Sequence, residues 1–145
     1  MQSWLATKLT SYLMARLRAG DPRPTNRLDA PDVTLTFPGQ NSWSGEFHGR
    51  AEVARWRRRL VDAGIQIYPD EVVAVGPPWR TRLLIRGHDH ARDDAGATVY
   101  DNRYVIWAHL RWGRLKEYEV YEDTHKANAF DAWLAEHRPG VRVAA

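Results

Sequence analysis

The sequence predicts an α+β fold in which helices gather on one face of a curved antiparallel sheet. Apolar residues recur at helical spacing near both ends of the chain, over residues 5–17 and 126–137. Between residues 65 and 122, apolar and polar residues instead alternate in runs separated by Gly and Pro, which is typical of consecutive antiparallel strands. The chain has 145 residues and no recognisable linker, so we expect one domain over residues 1–145.

The N-terminal part predicts a helix, a short turn and a strand. Leucines recur every four residues from Leu5 to Leu17, which gives the helix one apolar face, and Gly20 ends it. Residues 25–29 add one short helical turn. Asp32–Phe37 alternates apolar and hydroxyl side chains, as a strand does, and a loop or short hairpin follows.

Residues 50–63 return to helical periodicity. Val53, Trp56 and Leu60 share one stripe of this predicted helix. Four arginines lie opposite that stripe, at positions 55, 57, 58 and 59. Such a cluster can bind phosphate backbones, but we interpret it as the solvated back of an amphipathic helix and predict no nucleic-acid partner.

The remaining chain predicts four strands and a terminal helix. The strands cover residues 65–75, 79–90, 97–112 and 114–122, and the helix covers residues 126–137. Asp123 and Thr124 directly precede this helix, where such side chains commonly cap free backbone N–H groups.

Four segments carry a resemblance to a known superfamily. They are "RLRAGD", "LDAPDVTLTFPG", "FHGRAEVARW" and "YDNRYVIWAHLRWGRLKEYEVYEDT". Their order and spacing resemble the superfamily of nuclear transport factor 2, ketosteroid isomerase, limonene epoxide hydrolase and the SnoaL-like polyketide cyclases. The resemblance implies a cone-shaped, cystatin-like α+β barrel, whose curved sheet encloses a ligand pocket beneath helices on its concave face.

Positions that match the catalytic acids of these relatives carry other residues here. Phe37 stands where the isomerase has its general base, and Val120 stands where the hydrolase and the cyclases have an acid. The hydrolase's arginine-x-aspartate corresponds, with one gap, to Arg86-Gly87-His88. The resemblance therefore implies a pocket, while the chemistry of the isomerase and of the hydrolase is disfavoured.

The turn of the last hairpin decides which acids face this pocket, because neighbouring strand residues point to opposite faces. If residues 111–113 form a three-residue loop, Tyr104 lies opposite Val120, Asn102 lies opposite Glu122, and all four face inward. We favour this register because it places a single acid of the last strand inside.

The alternative register has Trp112 and Gly113 alone as the turn. The inner face of the last strand would then carry Glu117, Glu119, Tyr121 and Asp123. Burying so many carboxyl groups costs free energy, which disfavours this arrangement.

The predicted function is cofactor-free acid–base chemistry on a small apolar or amphipathic molecule, as a cyclisation, isomerisation or dehydration. His88 is the candidate general base, Glu122 a second acid, and Tyr104 or Tyr118 a hydrogen-bond donor. The predicted ligand-binding residues are Phe37, Trp56, Arg86, Tyr100, Asn102, Tyr118 and Val120. A non-catalytic ligand-binding domain and a protein-interaction domain of the same fold remain as alternatives.

Other sites and partners are also predicted from the sequence. His88 and His90, followed by Asp94, resemble a metal-ligand set, but turn residues explain this segment equally well, so we predict no metal and no cofactor. Val105 and Trp107 on the outer sheet face predict a homodimer interface. Without a signal peptide or an apolar span, we expect a cytoplasmic protein without a membrane partner.

Overall fold

The computed structural model describes residues 2–141 and confirms the α+β fold. The domain predicted over residues 1–145 extends beyond these residues at both ends, and those ends lie outside the described residues. The helices are α1 (Ser3–Arg18), α2 (Arg23–Asn26), α3 (Gly49–Asp62) and α4 (Thr124–His137), followed by a short 3-10 turn (Pro139–Val141). The strands are β1 (Asp29–Phe37), β2 (Gly45–His48), β3 (Gln66–Val75), β4 (Thr81–Arg92), β5 (Thr98–Arg111) and β6 (Arg114–Glu122).

The six strands form one curved sheet in the order β2-β1-β6-β5-β4-β3. The prediction of a wholly antiparallel sheet is wrong at one place, because β1 and β6 run parallel, with Leu35 beside Tyr118. The chain leaves β1 through β2 and α3, builds the other half of the sheet, and returns with β6 alongside β1 in the same direction.

The helices cover one face of this sheet. α1 packs on β3, α3 packs on β1, and α4 packs on β5. Alternate residues of each strand point toward the helices and form the hydrophobic core, whose fully buried members include Val33, Leu35, Val53 and Leu134. Among residues 2–141, no helix is long and apolar enough to cross a membrane.

The last hairpin combines parts of both predicted registers. Trp112 and Gly113, both with positive φ, form a two-residue turn, so the predicted three-residue loop is wrong. Lys116 is then an extra residue in β6, because Leu110 pairs with Leu115 and His109 pairs with Glu117. This β-bulge reverses the facing of every later β6 residue.

Because of the bulge, Tyr118, Val120 and Glu122 face inward, as the three-residue loop predicted, but they pair with different residues of β5. Tyr104 pairs with Glu122, and Ile106 pairs with Val120. The predicted pairs of Tyr104 with Val120 and of Asn102 with Glu122 are wrong by two residues.

The predicted cap of the terminal helix is confirmed. The Asp123 side chain accepts hydrogen bonds from the backbone N–H groups of His125 and Lys126, at 3.0 and 3.3 Å. These are two of the N–H groups that have no partner within α4 itself.

Candidate functional site

A cavity of about 160 Å³ lies between the helices and the inner face of the sheet. Its walls are mainly apolar and include Phe37 from β1, Trp56 from α3, and Tyr118 and Val120 from β6. The sequence predicted each of these four positions in the pocket. An apolar cavity of roughly 150 Å³ is large enough to bind one small aromatic molecule such as benzene.

Trp56 is held firmly in this wall. Its indole N–H donates to the backbone carbonyl of Trp43 at 3.1 Å. The rings of Phe37, Trp43 and Phe47 surround it at centroid distances of 5.6, 6.0 and 6.4 Å. An indole whose polar group is satisfied in this way offers a rigid apolar surface to a ligand.

Asp89 of β4 is the most unusual polar group in the cavity. The residue is 6% exposed, and its Oδ1 atom is buried without a hydrogen-bond partner. Burial raises the pKa of Asp89 to about 7, since desolvation penalises the charged carboxylate; the charge of His88 opposes the rise and that of Asp101 adds to it.

Glu122 lines the same cavity from the end of β6, as predicted. Burial raises its pKa to about 8, the negative charge of Asp89 raises it further, and the hydroxyl group of Tyr100 partly opposes these effects. Near neutral pH the two carboxyl groups therefore hold about one proton between them.

Tyr100 and Asn102 support this acidic end of the cavity. Tyr100 lines the cavity and stacks on Phe130 of α4 at 4.5 Å, and burial raises the pKa of its hydroxyl, which stays protonated. Asn102 is buried behind it, and its side-chain amide donates to the Tyr100 hydroxyl oxygen at 3.1 Å and to the Asp123 carbonyl oxygen at 3.0 Å. Asn102 thus fixes Tyr100 rather than lining the cavity.

Tyr104 lines the cavity, but its hydroxyl group already donates a hydrogen bond within the protein. The hydroxyl group donates to the backbone carbonyl of Tyr68 at 2.6 Å and lies 3.4 Å from the sulfur atom of Met14. The Tyr104 hydroxyl oxygen can therefore act toward the cavity as an acceptor, which differs from the donor role predicted for it.

His88 and Arg86 lie on the outer face of the sheet, so their predicted positions in the pocket are wrong. The His88 side chain is 47% exposed and contacts Asp70 at 2.9 Å, and the Arg86 side chain is 68% exposed and contacts Glu71 at 2.9 Å. The physical reason is strand alternation: Ile85 and Asp89 face inward, so the even-numbered residues between them face outward. The same alternation, read from the sequence, could have identified Asp89.

A second polar group stands at the opposite end of the cavity, around Arg57 of α3. Arg57 is 3% exposed, donates to both carboxylate oxygens of Asp29 at 2.9 and 3.2 Å, and donates to the Tyr118 hydroxyl oxygen at 3.1 Å. The prediction of four solvated arginines is wrong for Arg57 and for Arg59, which is also buried. An ion pair offsets much of the free energy that desolvating such a charged side chain costs.

The two histidines proposed as weak metal-ligand candidates share one surface. His88 and His90 both stack on Tyr68, at 5.1 and 5.8 Å, whereas Asp89 between them points into the cavity. Within the described residues, no group of three or more His, Asp or Glu side chains is arranged to hold a metal ion.

The side chains that line the cavity are therefore suited to acid–base chemistry. Two carboxyl groups with pKa values near neutrality face an apolar space, one of them with a free oxygen atom. Such a pair can take a proton from one atom of a bound molecule and return a proton to another.

Comparison with known proteins identifies the fold. Neither a protein-family model nor a curated protein matches this sequence. An NTF2-like protein of unknown function from Burkholderia pseudomallei K96243 is similar in structure, with TM-score 0.72 and 22% identity over 90% of this chain and 98% of that chain. TerC, crystallised with polyporic acid, has TM-score 0.70 and 19% identity over 86% of this chain and 96% of that chain.

A protein from Jannaschia sp. CCS1, described as a SnoaL-like polyketide cyclase, has TM-score 0.67 and 12% identity over 86% of this chain and 90% of that chain. The coverage is nearly complete in both directions for all three proteins. At such low sequence identities, the structural similarity indicates a shared fold and does not indicate a shared activity. The chain therefore has the fold of the NTF2-like and SnoaL-like proteins, as its sequence resemblance predicted.

Proposed function

We propose that this protein binds a small, mostly apolar molecule in the cavity and performs cofactor-free acid–base chemistry on it. The observation that carries the proposal is the Asp89 carboxyl group, which is buried in an apolar cavity with an unpaired oxygen atom. A buried polar atom without a partner costs free energy, and such costs concentrate at functional sites. A bound ligand would supply the missing hydrogen-bond donor.

In this proposal Asp89 is the general base and Glu122 the general acid. Asp89 is assigned the base because its Oδ1 atom is free to accept a proton, and burial raises the pKa of both carboxyl groups toward neutrality, so that the pair can hold a single proton near pH 7 to 8. Cyclisation, isomerisation and dehydration each need one proton removed and one returned, so the pair suits all three reaction types.

The other residues serve binding in this proposal. Phe37, Trp56 and Val120 shape the apolar wall, while Tyr100 donates toward Glu122. The base role expected for His88 passes to Asp89, because the His88 side chain is directed to the outer face. TerC, which has the same fold, was crystallised with polyporic acid, and this supports a small organic molecule as the ligand class.

Hydrogen–deuterium exchange tests the proposal without knowledge of the natural substrate. Nonane-2,8-dione is a slender diketone that carries weakly acidic protons next to a carbonyl group at each end, so one carbonyl can lie beside Asp89 and Glu122 in either orientation. Incubated with the protein in D₂O, it should gain deuterium at those carbons, as followed by NMR. The protein-catalysed exchange above the buffer rate should be greatest between about pH 7 and pH 8, where the two carboxyl groups hold one proton between them.

Two variants sharpen this test. Asp89→Asn should reduce the exchange to the buffer rate, because an amide cannot accept the proton. Asp62→Asn is the matched control, since Asp62 pairs with Arg58 on the exposed face of α3. Equal exchange by Asp89→Asn and the native protein would refute the base role. Binding of nonane-2,8-dione without exchange would favour the non-catalytic ligand-binding alternative.

A homodimer through the outer sheet face is the second part of the proposal. Val105, Trp107 and Tyr121 are all exposed on neighbouring strands of this face, and Trp107 is 40% exposed. An exposed apolar patch of this kind commonly marks an interface. Arg103 and Glu119 flank the patch, so a two-fold contact can pair opposite charges. The same face would serve the protein-interaction alternative, and the cytoplasmic location stays a prediction from the sequence.

A further inference from the structure

The end of the cavity around Arg57 has hydroxyl groups that are free to donate. The Tyr118 hydroxyl oxygen accepts a hydrogen bond from Arg57, which leaves its own proton available. Burial raises the pKa of Tyr118, so the hydroxyl keeps that proton. Thr25 also lines the cavity, next to Asn26, whose side-chain oxygen accepts a hydrogen bond from Arg57, and the Thr25 Oγ1 atom is buried without a hydrogen-bond partner. Two hydroxyl groups that can donate therefore line the cavity near one arginine.

The charge of that arginine is already balanced. Asp29 is fully buried and faces Arg57 with both carboxylate oxygens, and the side-chain oxygen of Asn26 accepts a further hydrogen bond from Arg57. A second carboxylate at this point would face the charge of Asp29 in a medium of low dielectric constant. The site thus suits a neutral acceptor, such as a carbonyl oxygen, better than an anion.

The two polar ends are well separated. Tyr118 and Glu122 are four residues apart on β6, which corresponds to roughly 13 Å along a strand. Between them the inner face carries Val120 and its neighbour Ile106, both lining the cavity. The cavity thus has an apolar middle with hydroxyl donors at one end and carboxyl groups at the other.

We propose that the ligand is a slender neutral molecule with an apolar body, a carbonyl-type oxygen at the end held by Tyr118 and Thr25, and a hydroxyl-type donor at the end held by Asp89. This inference rests on the proposed function, because it assumes that the cavity binds a ligand. It adds the ligand's length and the order of its two polar groups.

Four related compounds separate the contributions of the two ends. Butylbenzene has neither polar group, benzylacetone has only the ketone, para-butylphenol has only the hydroxyl, and para-hydroxybenzylacetone has both at opposite ends. Isothermal titration calorimetry at pH 6.5 measures their dissociation constants. Each polar group should tighten binding about three- to tenfold, which is the effect of one neutral hydrogen bond.

Variants assign each gain to one end. Tyr118→Phe and Thr25→Val should each reduce the advantage of benzylacetone over butylbenzene and leave the advantage of para-butylphenol unchanged. Asp89→Leu should have the opposite pattern, because leucine has no acceptor for the ligand's hydroxyl group, whereas asparagine would still have one. Thermal melting checks that each variant is folded, and Thr25→Val preserves the side-chain shape if Tyr118→Phe proves unstable.

The outcomes distinguish the two proposals. If none of the four compounds binds to the native protein, the proposed function fails and the inference fails with it. If they bind but the ketone gives no advantage, or gives one that Tyr118→Phe and Thr25→Val leave intact, the two-ended ligand is refuted while the cavity remains a binding site.

Discussion

The ring of Tyr104 lies directly across Gly87 on the neighbouring strand. A Cβ atom at Gly87 would lie 2.2 Å from the Tyr104 hydroxyl oxygen and 2.2 Å from the carbonyl oxygen of Tyr68, two atoms that share a hydrogen bond of 2.6 Å. Glycine is therefore needed at position 87 for space. The missing side chain lets Tyr104 reach over β4 and fix one wall of the cavity.

Gly87→Ala should lower the free energy of unfolding by about 2–4 kcal/mol, because the methyl group forces Tyr104 out of its place and breaks its hydrogen bond. Urea denaturation measures this loss. Gly140→Ala is the control, since nothing lies within 4 Å of a Cβ at that position. Equal stability of the two variants would mean that Tyr104 moves aside without cost.

Asp89→Asn should change how stability depends on pH. The pKa of Asp89 is raised in the folded protein from 3.8 to about 7, so the folded state binds the proton more tightly than the unfolded state. The native protein should therefore lose stability as pH rises from about 4 to about 7, by up to about 4 kcal/mol from this group.

The variant lacks this titration, so its stability relative to the native protein should increase over the same pH range. Chemical denaturation at several pH values measures the difference. Asp62→Asn, on the exposed face of α3, should follow the native profile. Parallel profiles for Asp89→Asn and the native protein would show that Asp89 titrates normally.

Asp123→Ala should destabilise the protein by roughly 1 kcal/mol, because two N–H groups at the start of α4 lose their acceptor. Asp123→Asn should retain most of the stability, since asparagine caps helices about as well as aspartate. Thermal melting followed by circular dichroism compares the two variants. A loss of equal size in both would point to the charge of Asp123 instead of its capping role.

Trp107→Glu should convert the proposed homodimer into a monomer, because a charge at the centre of an apolar contact must be desolvated on association. Light scattering at micromolar concentration should give about twice the chain mass of 16.7 kDa for the native protein and half that value for the variant. Trp79→Glu is the control, since Trp79 is also exposed but lies at the β3–β4 turn. A native monomer would refute the dimer.

The facing of the last strand was predictable, whereas its pairing was not. Burial cost alone indicated that Tyr118, Val120 and Glu122 face inward, and they do. The bulge at Lys116 that produces this facing has no distinct sequence signal, because lysine at a bulge looks like lysine on an exposed strand edge. The inward-facing residues of β6 were thus predicted correctly, although the predicted turn and strand pairing were wrong.

The two ends of the cavity differ in how far the sequence could reveal them. The alternation of inward-facing and outward-facing residues along β4 was enough to predict that Asp89 faces the cavity. Matching Arg86 and His88 to a motif of the hydrolase instead placed these two residues on the inner face, which is wrong. The burial of Arg57 could not be predicted from helical periodicity, because that pattern places Arg57 on the same predicted solvent-facing side of α3 as the other arginines. Its partner Asp29 lies on another element, so only the tertiary structure brings the pair together.

The parallel pairing of β1 with β6 also has a consequence for how the chain folds. Leu35 and Tyr118 are neighbours in the sheet although most of the chain lies between them, so closing this contact carries a large loop entropy. During synthesis, β1 has only the short β2 as a partner until the last strand leaves the ribosome. Until then both β1 and β5 present open edges to other chains, which makes the nascent protein dependent on prompt completion of β6 to avoid aggregation.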